Sequence, residues 1–309
     1  MKIATYNLEF LFDEGVRKHS GKDYAFSKEF TDERVNYFAK EFSDIDADIL
    51  FLQELGSESV LQRILKNMNE KYFYFIAEPD QFGVGNAVIY KNKNCVCNSI
   101  PAKTDMPVFL EGDEDVIGKS IWSRRDFVHL KASYADKTFN LLGLHIKSNF
   151  LMPEKTKDGE YKPMKTQIGV ADERIRSEIF RFSQAKKARE TVDKFFAEYK
   201  DGYVVVLGDF NSKTDNPVYR IIQGEIQKQR DSLVSLIDMI PENKRFSSIS
   251  NSQKSLIDHM LVSKNLTDKV ESIEIQNDLI FDHKKDERFP FIVESDHAPV
   301  ILKLAESKK

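Results

Sequence analysis

The chain has 309 residues, 41% of them hydrophobic, and is long enough to bury a sizeable core as one large domain or two smaller ones. Lys and Arg number 46 against 50 Asp and Glu, a net charge of −4, which excludes the overall basic footprint of a nucleic-acid binder and leaves any polyanionic partner to local patches or a metal ion. No apolar run approaches the roughly 20 residues of a membrane span, and Glu9 and Asp13 come too early for a signal peptide, so a soluble cytoplasmic protein is expected.

Short apolar runs bounded by turn residues alternate with longer stretches of helical apolar spacing, which predicts a mixed α/β fold. In chain order, strands are expected at 2–7, 48–53, 72–78, 85–91, 95–100, 126–134, 139–145, 203–208, 257–263, 270–276 and 298–304, too many for a single small sheet. Helices are expected at 31–42, at 57–69 behind a Ser57 cap with Val60, Leu61, Ile64, Leu65 and Met68 on one side, and at 171–199. Neither a Gly/Ser linker nor a solenoid repeat divides the chain, so residues 1–309 are read as one domain. Stretches 101–120 and 148–170 read as long loops, which are uncommon in compact domains and are where substrate choice is expected. Cys95 and Cys97, two apart on a predicted strand, share one face and make a poor disulfide, which suits a reducing compartment.

Several apolar runs end on polar groups that they cannot bury: KIATYN on Asn7, DILFLQE on Glu54, NLLGLH on His145 and YVVVLGDFN on Asp209 and Asn211. Asp258 and the pair Asp296 and His297 sit at or inside later strand boundaries. Strand ends let side chains converge on a cleft over a rigid floor. Asn7, Glu9, Glu54, Asp209, Asn211, Asp258 and Asp296 are hard oxygen donors, and with no paired CxxC and no HExxH they suit Mg²⁺, Mn²⁺ or Ca²⁺ better than a closed zinc site. His145 and His297 supply groups able to exchange a proton near neutral pH. Taken singly, each has a blander reading: GD and DxN after a strand are usually turns, and the second Asp-His pair at 258 and 259 shows that adjacency is weak evidence.

The ordered set is what carries weight. Asn7 in TYNLE, Glu54 in FLQE, His145 in LGLHIKS, GDFN at 208–211, IDH at 257–259 and SDHAPV at 295–300 resemble, in order, the successive motifs of the endonuclease/exonuclease/phosphatase superfamily. That group includes pancreatic deoxyribonuclease, apurinic endonucleases, sphingomyelinases and inositol polyphosphate phosphatases. The resemblance implies a four-layer αββα sandwich, two mixed sheets face to face with helices outside. It also implies that Glu54 binds the metal with Asp296 and Glu9, and that Asn7 orients the metal ligands and the phosphate. His297 would be the general base with Asp258 holding its ring. Asp209 and Asn211 would contact the scissile phosphate and the nucleophile or leaving group, and His145 would stabilise the phosphorane or protonate the leaving oxygen. Hydrolysis of a phosphate ester needs these three things: charge neutralisation, an in-line water and help for the leaving oxygen.

Departures from the family's patterns narrow the expectation. LHIKS and Glu9 stand where apurinic-site enzymes usually have a tyrosine motif and an aspartate, whereas HIKS resembles the HLKS of bacterial nuclease-like members. Arg124, Arg125 and Lys147 are candidate phosphate contacts, and the cations of 173–190, Arg174, Arg176, Arg181, Lys186, Lys187 and Arg189, form either a polyanion grip or a solvated face. The expected activity is metal-dependent hydrolysis of phosphodiesters, with nucleic acid as substrate. The alternatives are hydrolysis of a small phosphate ester or lipid head group, and an inactive binding module on the same fold.

Overall fold

Strands covered on both faces show continuous apolar runs rather than alternation, and that is how the two main sheets are built. The computed structural model describes residues 1–309 except 20–21, 81–82, 106–119, 123–124, 135, 156–160, 163–164, 227–228 and 306–309. The sheet strands are β1 (Lys2–Leu11), β2 (Ile49–Leu55), β3 (Phe73–Ile76), β4 (Gly85–Tyr90), β5 (Val96–Ile100), β6 (Phe127–Tyr134), β7 (Lys137–His145), β8 (Tyr203–Asp209), β9 (Leu233–Ser235), β10 (Asp258–Ser263), β11 (Val270–Ile275) and β12 (Val300–Leu304). They form two six-stranded sheets, ordered β11-β12-β1-β2-β4-β3 and β9-β10-β8-β7-β6-β5. Each sheet has one parallel pair at its centre, β1 with β2 and β7 with β8, and the remaining pairs are antiparallel.

A parallel pair needs a crossover, and here each crossover contains a helix: α1 (Lys28–Ile45) joins β1 to β2, and α3 (Gln167–Glu198) joins β7 to β8. With α2 (Glu58–Asn67) beside α1 and α4 (Pro217–Gln223) beside α3, the helices make the outer layers. Ser57 caps α2 by accepting from the Val60 amide, as expected. Three apolar clusters separate the layers. Phe51 and Val88 of one sheet meet Val205, Leu207 and Leu141 of the other, while Leu50 and Leu52 pack on α1 and α2, and Val204 and Val206 pack on α3. The four-layer αββα sandwich is therefore the fold. Phe51 packs so closely on the facing sheet that a Cβ at Gly143 would lie 2.2 Å from its ring, which is why glycine interrupts the run NLLGLH.

The structure extends some expectations and adds to others. Helix α3 begins at Gln167, inside the stretch read as a loop, because Thr166 caps it by accepting from Gly169. Within the other expected loop, Lys103–Asp105 pairs with Ser120–Trp122, and the intervening acidic residues Glu111, Asp113, Glu114 and Asp115 lie outside the described residues. Short pairs at Gly15–His19 with Lys22–Phe26, Glu154–Lys155 with Tyr161–Lys162, and Ser248–Ser250 with Gln253–Ser255 lack the apolar runs by which strands are recognised. Cys95 and Cys97 are free thiols, and burial pushes Cys97 up to about 11. Among the described residues, no helix is long and apolar enough to cross a membrane.

Candidate active site

The carboxyl ends of both parallel pairs open on one edge of the sandwich, so residues far apart in sequence converge there. In the second sheet, His145, Asp209 and Asp258 are register partners in one row across β7, β8 and β10. In the first sheet, Asn7 pairs in register with Gln53, and Glu54 follows it. The two halves meet where Asn7 Nδ2 donates to Asp209 Oδ2 at 3.0 Å. Gly208 is required by its own geometry: its φ is +130°, and a Cβ there would stand 2.0 Å from the Leu144 carbonyl oxygen.

Left-handed residues shape the carboxyl ends of the strands: Glu9 and Phe10 lie in the irregular register near the end of β1, Glu54 in that of β2, and Asn211 in the turn after β8. Glu9, Phe10, Glu54 and Asn211 all have φ between 46° and 61°, a region that non-glycine residues enter at a cost and that clusters at functional sites. The Glu9 amide donates to Asn7 Oδ1 at 3.0 Å, which leaves the Asn7 amide free to point at Asp209 and, at 3.4 Å, at Glu54 Oε1. Glu54 Oε2 accepts from the Phe10 amide at 3.0 Å. On the other side, the Asn211 backbone N–H donates to Asp209 Oδ1 at 2.7 Å, and its side-chain amide reaches Asp209 Oδ2 and the Ile146 carbonyl, each at 3.0 Å.

His297 Nδ1 lies 2.7 Å from Asp258 Oδ2, which also accepts from Ser247 Oγ at 2.7 Å. Asp258 Oδ1 is buried without a hydrogen-bond partner. Burial works against a charged His297 ring, but Asp258, aided by Asp296 and Asp209, prevails and holds it well above its usual range. Ser295 Oγ donates to the Asn7 carbonyl, and the Asp296 amide donates to Glu9 Oε2 at 3.0 Å, which ties the SDH turn to β1. His259, one residue along β10, faces the opposite side: its Nε2 meets the Ser212 carbonyl at 2.7 Å, and its ring packs on Phe210 and Tyr219.

His145 is also buried, with Nε2 3.5 Å from Asp209 Oδ2 and 3.7 Å from Glu54 Oε1. Arg125 places Nη1 2.7 and 2.9 Å from its two ring nitrogens, and Asp80 anchors Arg125 through Nε at 3.0 Å. Burial, then Arg125 and His297, drives His145 well below its usual range, so its ring is neutral. Burial raises Glu54, burial and Asp258 raise Asp209, and burial and Glu9 raise Asp296.

That strain is the observation that tests a cation. Several buried carboxylates repel one another, and Asp209, Asp258 and His297 each place one donor atom within 4.8 Å of the other two, a group among the described residues that differs from the expected ligands Glu54, Asp296 and Glu9. The hard-oxygen set fits a divalent ion such as Mg²⁺ or Mn²⁺.

Of the expected site residues, Asn7, Glu9, Glu54, Arg125, His145, Asp209, Asn211, Asp258, Asp296 and His297 are brought together. Lys147 is not: its ammonium is bound by the Ser148 and Phe150 carbonyls and Ser177 Oγ. Most cations of α3 are likewise engaged within the protein. Arg174 meets Asn149, Arg176 the Met152 carbonyl, Lys186 Glu190, and Arg189 Asp193. Arg124 lies outside the described residues. His283, unmarked in the sequence because it stands alone in the polar run FDHKKDE, is buried with Nδ1 2.7 Å from Glu9 Oε2, yet neither ring nitrogen completes a hydrogen bond.

Comparison with known proteins agrees with the geometry. Solved structures of similar fold include an endonuclease/exonuclease/phosphatase family protein from Leptotrichia buccalis (16% identity, TM-score 0.57, covering 98% of this chain and 99% of that one). They also include truncated TDP2 from Caenorhabditis elegans (16% identity, TM-score 0.59, covering 97% and 96%) and a mannosyl-6-phosphatase from Bacteroides thetaiotaomicron (16% identity, TM-score 0.57, covering 99% of each). No curated protein matches. Residues 4–297, which span every strand-end residue of the cluster, match the Endonuclease/Exonuclease/phosphatase family, so the chain belongs to that family of phosphate-ester hydrolases.

Proposed function

We propose that the protein is a divalent-metal-dependent phosphodiesterase whose substrate is nucleic acid. The observation that carries the reaction is the buried pair His297 and Asp258, 2.7 Å apart, beside Asp209 and the Glu54 and Asp296 carboxylates. With Nδ1–H donated to Asp258, His297 Nε2 takes the proton of the attacking water, and Asp258 holds the tautomer that makes this possible. Glu54 and Asp296, with Glu9, would hold Mg²⁺ or Mn²⁺, which when bound neutralises phosphoryl charge and offsets the carboxylate field on His297. Asn7 and Asn211, both fixed on Asp209, orient the phosphate and the nucleophile. His145, held neutral, donates a hydrogen bond to developing negative charge, and Arg125 beside it supplies a fixed positive charge.

The nuclease reading rests on HIKS at 145–148 beside the complete motif set. One observation favours a small phosphate ester instead: Lys147 and most cations of α3, which could have gripped a polyanion, are bound within the protein. Incubating purified protein with DNA, RNA, inositol phosphates and sphingomyelin, with Mg²⁺ or Mn²⁺ and then EDTA, separates the two. Metal-dependent cleavage of DNA or RNA is expected. Turnover confined to inositol phosphate or sphingomyelin would replace the nuclease reading, and no turnover of any of the four would remove both.

A further inference from the structure

Each half of the site carries the same device. In both, a crossover helix sends an arginine inward to left-handed backbone at the carboxyl end of a parallel strand, and both arginines are buried, Arg34 at 5% exposure and Arg181 at 1%. Arg34 of α1 donates from Nη2 to the carbonyls of Leu8 (2.6 Å) and Glu9 (3.0 Å), from Nη1 to that of Phe10 (3.1 Å) and from Nε to that of Val293 (3.3 Å). Arg181 of α3 donates from Nη1 to the Lys147 carbonyl (2.6 Å), and from Nη2 to the Asn211 carbonyl (3.0 Å) and Ser212 Oγ (2.6 Å), with Nε on Glu178 (3.2 Å). A planar fork of five N–H groups donates to several carbonyls in fixed directions, which the three donors on a single lysine nitrogen do not reproduce from the same place.

The backbone they grip is left-handed, in the irregular end of β1 at Glu9 and Phe10 in one half and in the turn at Asn211 in the other. In the first half the gripped end of β1 presents the Glu9 amide to Asn7 Oδ1, which decides where the Asn7 side-chain amide points. In the second it presents Asn211 to Asp209. Both side-chain amides end on the same atom, Asp209 Oδ2, each at 3.0 Å.

We propose that Arg34 and Arg181 are paired positioning residues, one for each half of the site, each holding a left-handed backbone segment so that its asparagine, Asn7 or Asn211, is aimed at Asp209. The kinetic consequence rests on the phosphate-ester reading of the site; the structural one does not.

The test measures both in the full chain. Side-chain amide signals of Asn7 and Asn211 are followed by ¹⁵N NMR, assigned from Asn7→Asp and Asn211→Asp, and hydrolysis of bis(p-nitrophenyl) phosphate is followed with Mn²⁺. Arg34→Lys should shift the Asn7 pair and leave the Asn211 pair in place, and Arg181→Lys should do the reverse. Each should lower kcat by about tenfold or more with KM within about threefold, the pattern of lost orientation rather than lost binding. Val192→Ala, a buried truncation in α3, controls for general destabilisation; it should keep kcat within about threefold and move neither pair. If either lysine variant leaves its own pair in place, or if Val192→Ala moves the same pair, the arginines are merely structural and the proposal fails. If a lysine variant does not fold, Ser212→Ala, which removes one acceptor of Arg181, must still shift the Asn211 pair alone. Wild-type protein that hydrolyses no phosphate ester while the selective amide shifts occur would sink the functional reading and leave the positioning role standing.

Discussion

The ring of His259 should be a strong determinant of acid stability while contributing nothing to the reaction. It is 5% exposed, packed on Phe210 and Tyr219 with ring centroids 5.2 and 4.7 Å away, and bonded to the Ser212 carbonyl. Burial pushes its pKa down from 6.5 to about 4, so the folded protein keeps the ring neutral while the unfolded chain protonates it more readily. The resulting stability is fully present above pH 6.5 and is lost as pH falls towards 4, and a depression of that size corresponds to about 3 kcal/mol. That is a large share of a typical folding free energy of roughly 5–15 kcal/mol. His259→Gln keeps an N–H donor for Ser212 but cannot titrate. Urea unfolding of both proteins, without metal, at pH 7 and pH 4 isolates the effect, because all other titrating groups cancel in the difference. Wild type should lose about 3 kcal/mol more than the variant over that interval. Parallel losses, within about 1 kcal/mol, would show that the ring is not held neutral in the core and would refute the reasoning.

Removing the other histidine should have the opposite signature: His297→Ala is expected to lower kcat by roughly 100- to 10,000-fold, whereas His259→Gln assayed well below its melting temperature stays within about threefold of wild type. Gly208→Ala would force a methyl onto the Leu144 carbonyl in a positive-φ backbone, and a loss of about 3 kcal/mol or more should appear in thermal melts; an unchanged Tm would contradict the close approach. Glu54→Gln and Asp296→Asn should each weaken Mn²⁺ binding about tenfold or more by calorimetry, and a variant that binds the ion as wild type does would remove that residue from the cation site. Replacing Lys155, Lys157, Lys162 and Lys165 with glutamine should raise KM for DNA and flatten its salt dependence with little change in kcat; unchanged kinetics would move substrate choice away from this stretch.

The strands and the polar groups that end them were legible in the sequence for one reason: an apolar run such as YVVVLG that stops abruptly on Asp209 reads as a buried strand with a polar group at its edge. The two helices whose spacing was clearest, α1 and α2, were found within three residues at either end. What was less visible depends on partners distant in sequence. Lys147 beside HIKS looks like a phosphate contact until its three oxygen partners, supplied by the following turn and by α3, are known. Arg181 looks like one cation among many on a basic helix, although its place on the stripe of Ser177, Gln184, Ala188 and Val192 marks it as inward-facing. Arg34 carries the same signal, standing on the buried stripe of Thr31, Val35, Phe38 and Phe42. An arginine at core spacing was the available clue to both. His283 offered none, since the short 3₁₀ turn that carries it to Glu9 has no periodicity.

The row formed by His145, Asp209 and Asp258 has a consequence for how the protein responds to ligands. These residues sit on backbone that is hydrogen-bonded to neighbours in the interior of a sheet covered on both faces, the part of a molecule that opens to deuterium only on global unfolding. Substrate or metal should therefore slow exchange at 142–145, 205–209 and 258–262 by one common factor, because binding raises the free energy of the global unfolding through which those amides exchange. Protection beyond that common factor should appear in the connections leaving the row, at 146–153 and 211–216. A site built this way cannot adapt to a new ligand by local melting; variation in what it accepts has to be written into the segments around it.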